Sequence, residues 1–170
     1  MQTREIGSSG IQASAIGLGT WAIGGWMWGG TDEAESIRTI QNAPDHGVTL
    51  IDTAPVYGFG ASEELVGKAV KQGGMRDRVV LATKCALEWD AKERVARNAS
   101  RKRIVKEAED SLRRLQTDVI DLLQVHWPDP QVDVRETAEA MAELREAGKI
   151  RAIGVSNYCK RAMDIIEVLT

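Results

Sequence analysis

Five times along this chain a short apolar run of strand length gives way to a stretch with helical periodicity. That alternation restricts the fold more than any other feature of the sequence. The runs are IGLGT (16–20), VTLID (48–52), RVVLATK (78–84), VIDLLQV (119–125) and KIRAIGV (149–155). Helical patterns follow them near 32–46, 62–72, 101–115, 134–147 and 159–169. Consecutive strands joined through a helix lie parallel, because the crossover must pass over the sheet. An α/β fold with a parallel sheet is therefore expected.

Punctuation supports the same division. Asp32 with Glu35, and Asp133 with Glu136, fit capping boxes, while Ser62 and Ser100 stand where N-caps are expected. Gly73-Gly74 and Gly148 are helix stops. Over 101–115 the residues Ile104, Ala108, Leu112 and Leu115 share one helix face. Residues 1–15 read as a hairpin that turns at 7–10, ahead of the repeating units. With no linker or low-complexity segment, 1–170 is expected to form a single domain, its βα units running over 16–170.

Three of the apolar runs stop at ionisable groups: Asp52 with Tyr57 shortly after it, Lys84, and His126. When βα units close into a barrel, strand ends of this kind converge on one face. Parity agrees, since Leu50 shares the face of Asp52, Val80 and Ala82 that of Lys84, and Leu122 and Gln124 that of His126. Singly, three have an ordinary reading (a turn acid, a loop aromatic, a strand-end lysine), while His126, a strand-terminal histidine before Trp-Pro, is unusual. At matched strand ends they make a catalytic set. A phenol is a poor acid at neutral pH unless a cation stands beside it. A lysine ammonium held by an aspartate would be such a cation, and an imidazole could hydrogen-bond the same substrate oxygen. That is chemistry suited to protonating a carbonyl oxygen. His46, just before Gly47, reads instead as an imidazole at a helix C-terminus, a structural role.

Composition narrows the class. A net charge of −3 gives no footprint for nucleic acid. The cluster Arg101-Lys102-Arg103 reads as a solvated helix face. No apolar stretch approaches the about 20 residues of a membrane span, and the N-terminus lacks the apolar middle of a signal peptide. Two cysteines without an export signal suggest free thiols in a cytoplasmic setting. Two Cys and two His standing far apart offer no metal site.

Rival motifs fail on spacing. Residues 17–22 fit the dinucleotide fingerprint G-x-G-x-x-A, but more glycines follow where its helix should start. Asp52 also arrives 33 residues after Gly19, against about 20 in that fingerprint. Cys85 faces away from Lys84 and so cannot join a nucleophile pair with His126. Ser156 lies outside a G-x-S-x-G elbow.

GLGTW at 17–21, IDTAPVYGFGASEELVGKAV at 51–70, LATKC at 81–85, DLLQVHWPD at 121–129 and GKIRAIGVSN at 148–157 together resemble the aldo/keto reductase family. The resemblance implies a (β/α)8 TIM-type barrel, here truncated to about five βα units. It also implies NADPH, with NADH as the second possibility, in the reduction of small aldehydes or ketones. By the same match Asp52, Tyr57, Lys84 and His126 are catalytic. Gly19, Thr20, Trp21, Asp52, Ser156 and Asn157 would meet the cofactor, and Trp21, Tyr57 and Trp127 would line a pocket for apolar or aromatic carbonyl compounds. Trp26 and Trp28, in the glycine-rich loop 22–30, either cover the site mouth or pack within the loop.

The family's later strands, which carry a further glutamine, a stacking aromatic and the basic grip on the cofactor's phosphates, lie beyond the similarity. An open sheet exposes the strand edges at 16–20 and 149–155, and such edges recruit partners. The expectations that follow are self-association or a need for the missing half of the barrel, and little or no turnover by these 170 residues alone. A non-enzymatic, nicotinamide-binding regulatory or scaffold subunit of the same family is the alternative.

Overall fold

The computed structural model describes residues 1–160 and Met163, so the helix expected near 159–169 falls almost wholly outside the described residues. The chain opens with an antiparallel hairpin of β1 (Thr3–Glu5) and β2 (Gln12–Ser14). There follow β3 (Leu18–Gly19), α1 (Glu33–Asn42), β4 (Leu50–Asp52), α2 (Ala61–Gln72) and β5 (Val80–Cys85). A second antiparallel hairpin, β6 (Leu87–Trp89) with β7 (Val95–Arg97), precedes α3 (Arg101–Leu115). Then come β8 (Ile120–Val125), α4 (Val134–Glu146) and β9 (Ile150–Val155). The five-stranded sheet has the order β3-β4-β5-β8-β9, and every neighbouring pair is parallel. Each crossover thus places its strand beside the preceding one, as in a barrel under construction.

Two apolar layers hold the sheet. On the helix side Ile51, Leu81 and Leu123 pack with Ile40, Val66, Ile104, Met141 and Leu144. Each fully buried side chain of this size contributes about 1.5–3 kcal/mol relative to exposure. On the inner side the first hairpin sends Ile11 and Ala13 against Val80 and Ala152, with Leu50 and Leu122 beside them. Ser14 stitches this floor in place: its Oγ accepts from the backbone N–H of Thr49 and Leu50 at 2.9 and 3.1 Å. The strand-start end is therefore closed and the strand-finish end is left open.

Several local expectations change. Ser62 is not the cap of α2: Gly60, at φ 104°, holds that position, and the Ser62 hydroxyl turns inward to Thr20 and Thr53. Ser100 makes no capping bond either, because its hydroxyl donates to Asn98 Oδ1 at 2.7 Å. Asp32 and Asp133 do cap their helices. Their box partners act elsewhere: Glu35 pairs with Arg38, and Glu136 accepts from the backbone N–H of Arg101, at the start of the neighbouring α3. Arg103 is not solvated, for its side chain is only 18% exposed and pairs with the buried Glu107. The β6–β7 hairpin was not anticipated, its three-residue strands being too short for an alternation signal.

Candidate active site

Pairing register decides which side chains meet at the open end. Asp52 is opposite Ala82, Lys84 opposite Gln124, and Gln124 opposite Gly154. Asp52, Lys84 and Gln124 therefore share the inner face, with Lys84 and Gln124 one step nearer the rim. Lys84 is 6% exposed, and its Nζ donates to Asp52 Oδ2 at 2.7 Å and to the carbonyl of Thr53 at 2.9 Å. Two of the ammonium's three donors are thus occupied. Gln124 Nε2 donates to the other oxygen, Asp52 Oδ1, at 3.3 Å. Gly154 makes room for it, since a Cβ there would stand 2.9 Å from Gln124 Cγ. Sequence parity had put Gln124 on this face, but its partnership with Asp52 depends on the spacing between β4 and β8, which crosses β5.

Tyr57 is carried by a tight loop after β4. Tyr57 N–H donates to Ala54 O at 3.1 Å, Gly60 N–H to Pro55 O at 2.7 Å and Ser62 N–H to Tyr57 O at 3.1 Å. Gly58, Phe59 and Gly60 all have positive φ. The loop also touches the backbone of the glycine-rich segment after β3. A Cβ on Gly24 would be 2.6 Å from the Tyr57 carbonyl oxygen, and one on Gly58 would run into the Gly24 carbonyl. Only glycine at both positions allows this crossing. The crossing fixes the Tyr57 backbone, and Lys84 Nζ lies over the phenol ring, 4.9 Å from its centroid.

His126 follows β8 directly. Its backbone N–H donates to Cys85 O at 2.9 Å, which ties it to the end of β5. Its ring meets Tyr57 edge-on, with centroids 5.9 Å apart and planes at 84°. Burial, followed by the nearby Lys84 charge, pulls its pKa down to about 4, against an opposing pull from Asp52. The imidazole is therefore neutral near pH 7 and able to donate a hydrogen bond without competing for the proton.

Around this centre the other expected residues divide. Trp21, 43% exposed, stacks on Tyr57 at 6.1 Å and meets the edge of Trp28 at 5.6 Å. Trp26 instead packs on Phe59, which in turn contacts Trp89 from the second hairpin. The loop's two tryptophans thus have different roles: Trp28 extends the rim wall and Trp26 packs behind it. Trp127 is 40% exposed, with the Arg97 guanidinium 5.2 Å above its ring. Gly19 is exposed and pairs with Asp52 across the sheet.

Thr20 does not fit a ligand-contacting role. It is fully buried, its hydroxyl donating to Asp52 O and accepting from Ser62 Oγ. It is a strut beneath the rim. At the end of β9, Ser156 is half-buried and Asn157 exposed. Asn157 Nδ2 donates to His126 O and to Ser156 Oγ, both at 2.9 Å. Its amide oxygen has no hydrogen bond among the described residues, so the pair retains an acceptor and a hydroxyl. That is the complement of a primary carboxamide such as nicotinamide's. Among the described residues no three His, Cys, Asp or Glu side chains gather as a metal site. No described helix is long and apolar enough to cross a membrane.

Comparison with known proteins identifies the chain's relatives. The profile of the Aldo/keto reductase family matches residues 15–169. Aldo-keto reductase YhdN of Bacillus subtilis is 65% identical over 169 residues, covering 99% of this chain and 51% of that protein. The NADH-specific methylglyoxal reductase of Escherichia coli is 41% identical, with 92% of this chain and 52% of that protein covered. Among solved structures, the glycerol dehydrogenase AKR11B4 from Gluconobacter oxydans superposes with a TM-score of 0.90 at 48% identity, over 99% of this chain and 52% of that one. An aldo/keto reductase from Klebsiella pneumoniae, solved with NADP and acetate, gives 0.73 at 38% identity, over 90% and 49%. The chain thus spans about half the length of the curated relatives it matches.

Proposed function

The chain belongs to the aldo/keto reductase family, and we propose that its rim carries the proton-handling centre for reduction of a small aldehyde or ketone to an alcohol. One observation carries this reading: a buried ammonium, clamped by Asp52 and a backbone carbonyl, with its charge over the Tyr57 ring and beside a neutral imidazole.

The roles follow from that arrangement. Tyr57 O–H gives its proton to the substrate's carbonyl oxygen as negative charge develops there. Lys84 stabilises the phenolate left behind, and Asp52, held by Gln124, keeps the Lys84 ammonium aimed. Neutral His126 donates a hydrogen bond to the same oxygen, favouring the transition state over the ground state. The hydride would come from a reduced nicotinamide when one is bound. Ser156 and Asn157 would hold its carboxamide, with Gly19 and Trp21 alongside. NADPH is the proposed cofactor, in keeping with the Klebsiella relative solved with NADP, and NADH is the second candidate, since the E. coli relative is NADH-specific. Trp21, Tyr57 and Trp127 make the pocket wall apolar and aromatic, which suits carbonyl compounds of that character.

For these residues on their own we propose little or no turnover. β3 and β9 are the outer strands of the sheet. Unpaired edges and a partly open inner face favour pairing with the second half of a barrel or with another copy. A monomer by size-exclusion chromatography at micromolar concentration would contradict that. The central test is NADPH oxidation with 4-nitrobenzaldehyde by the protein carrying this chain, run beside tryptophan-fluorescence titrations with NADPH and NADH. Turnover abolished by Tyr57→Phe with cofactor binding retained supports the assignment. Cofactor binding without turnover points to a regulatory subunit instead.

A further inference from the structure

Behind the rim, on the helix side of β5, stands a carboxyl group that the proposed reaction does not use. Glu107, on α3, is 2% exposed. Its Oε2 accepts from the backbone N–H of Ala86 at 2.7 Å, and its Oε1 accepts from Arg103 Nη2 at 2.9 Å. Ala86 follows Cys85 at the end of β5 with φ 73°, a left-handed conformation unfavourable for alanine. Something must hold the backbone there, and the Glu107 carboxylate is the only acceptor of this N–H among the described residues.

The peptide plane involved matters. The N–H gripped by Glu107 and the carbonyl of Cys85 belong to one rigid unit. That carbonyl accepts the backbone N–H of His126 at 2.9 Å. Lys84 is the residue immediately before this unit. A single peptide plane is therefore held by Glu107 at one end and tied to His126 at the other, one residue from the ammonium.

We propose that Glu107 is a positioning residue for the rim, gripping the Cys85–Ala86 peptide so that Lys84 and His126 stand in register, with the grip set by its protonation state. The inference rests on the roles proposed above for Lys84 and His126. Burial, the largest cause, raises the Glu107 pKa to about 7, with Arg103 opposing. Both forms are thus populated near neutrality. The carboxylate accepts fully from both donors. The acid is a weaker acceptor, and its own proton must share the space with Arg103. Other ionisable groups around it are Glu63 on α2, which raises its pKa further, and Cys85 on β5. Glu88 on β6 lies 4.0 Å from Arg103 Nε, and Arg103 also donates to Leu87 O at 3.0 Å.

The test reads backbone and chemistry separately. In the protein carrying this chain, the amide ¹⁵N–¹H signals of Ala86 and His126 are followed across about two pH units either side of neutrality. Both should shift with one shared midpoint near the Glu107 value of about 7, and both should stay flat in Glu107→Gln. The pH profile of kcat should bend at the same midpoint. In Glu107→Gln that bend should vanish and kcat fall, with cofactor KM unchanged. A His126 amide that ignores the Ala86 titration, or a kcat bend that survives Glu107→Gln, overturns the proposal. Should Glu107→Gln fail to fold, wild-type protein still decides, because shared midpoints support the coupling and independent ones refute it. The amide readout needs no turnover. A silent protein with co-titrating amides would overturn the reduction reading while leaving the grip intact.

Discussion

Thr83 and Lys84 are neighbours on β5, yet each faces a different buried ion pair. On the helix side Glu63 is completely buried, and its two oxygens are taken at 2.6 Å by Thr83 Oγ1 and by Arg114 Nε. On the inner side the Lys84 side chain is 8% exposed, but the Asp52 side chain is 34% exposed. The first pair partners both acceptor oxygens within the scaffold. Among the described residues, the second leaves one ammonium donor unused beside a phenol at an open rim. Burial of charge is therefore not what sets the proposed site apart from the scaffold in this fold. Spare bonding capacity next to an opening is.

The contrast predicts that the two pairs fail differently. The largest effect belongs to the rim: Tyr57→Phe should lower kcat/KM by about 100- to 10,000-fold, the usual contribution of a positioned general acid. The thermal midpoint and cofactor affinity should hold. Loss of stability with unchanged specific activity would instead make Tyr57 a packing residue. On the scaffold side, Arg114→Met should leave Glu63 buried without its cation and cost about 3–5 kcal/mol of folding stability. Urea midpoints would show that loss, while the pH profile of any turnover should keep its shape. If Arg114→Met altered the proton chemistry without loss of stability, the two faces of β5 would not be separable.

An intermediate effect lies where the loops cross. Gly58→Ala must accommodate φ +67° and a clash with the Gly24 carbonyl. Strain of this kind costs about 1–3 kcal/mol, and it falls on the residue next to Tyr57. Activity should therefore drop by more than the stability loss explains, which stopped-flow measurement of the chemical step would reveal. Gly7→Ala is the control, because its φ is also positive but a Cβ there meets nothing within 4 Å. It should lose stability alone.

What the sequence made legible follows the range of the forces involved. Strand parity and strand ends are local, so the convergence of Asp52, Lys84 and His126 could be argued from alternation alone. Helix caps proved half legible. Asp32 and Asp133 cap as expected, but Ser62 was drawn to hydroxyls on Thr20 and Thr53 that local sequence cannot reveal. The same bonds explain why Thr20, adjacent to the rim in sequence, is sealed beneath it. Gly24 and Gly58 are far apart in the chain, and their mutual need for a missing Cβ exists only once the loops cross. Glu107 was hidden differently. Among the charges of α3 it looks like surface, and only its burial and its bond to the Ala86 N–H in the folded chain show that it points inward.

The subtlest expected effect sets the two sides of β5 against each other in pH. Glu107 is raised from 4.5 to about 7. Between those values the folded protein keeps a proton that the unfolded chain has lost, so this group makes stability fall as pH rises. His126 is lowered from 6.5 to about 4. Between those values the unfolded chain holds a proton that the folded protein refuses, so this group makes stability rise with pH. Each has a limiting slope of about 1.4 kcal/mol per pH unit, and solvent reaching the half-buried imidazole reduces its share. Over their common window the two oppose each other. Removing one should expose the other: relative to wild type, Glu107→Gln should make stability climb more steeply from acid toward neutrality, and His126→Gln should make it fall. Urea unfolding at several pH values measures both slopes, and other carboxylates drop out because they are common to all three proteins. If both variants tilted the slope in the same direction, at least one of the two groups would not hold the proton assigned to it, and the division of labour across β5 would fail with it.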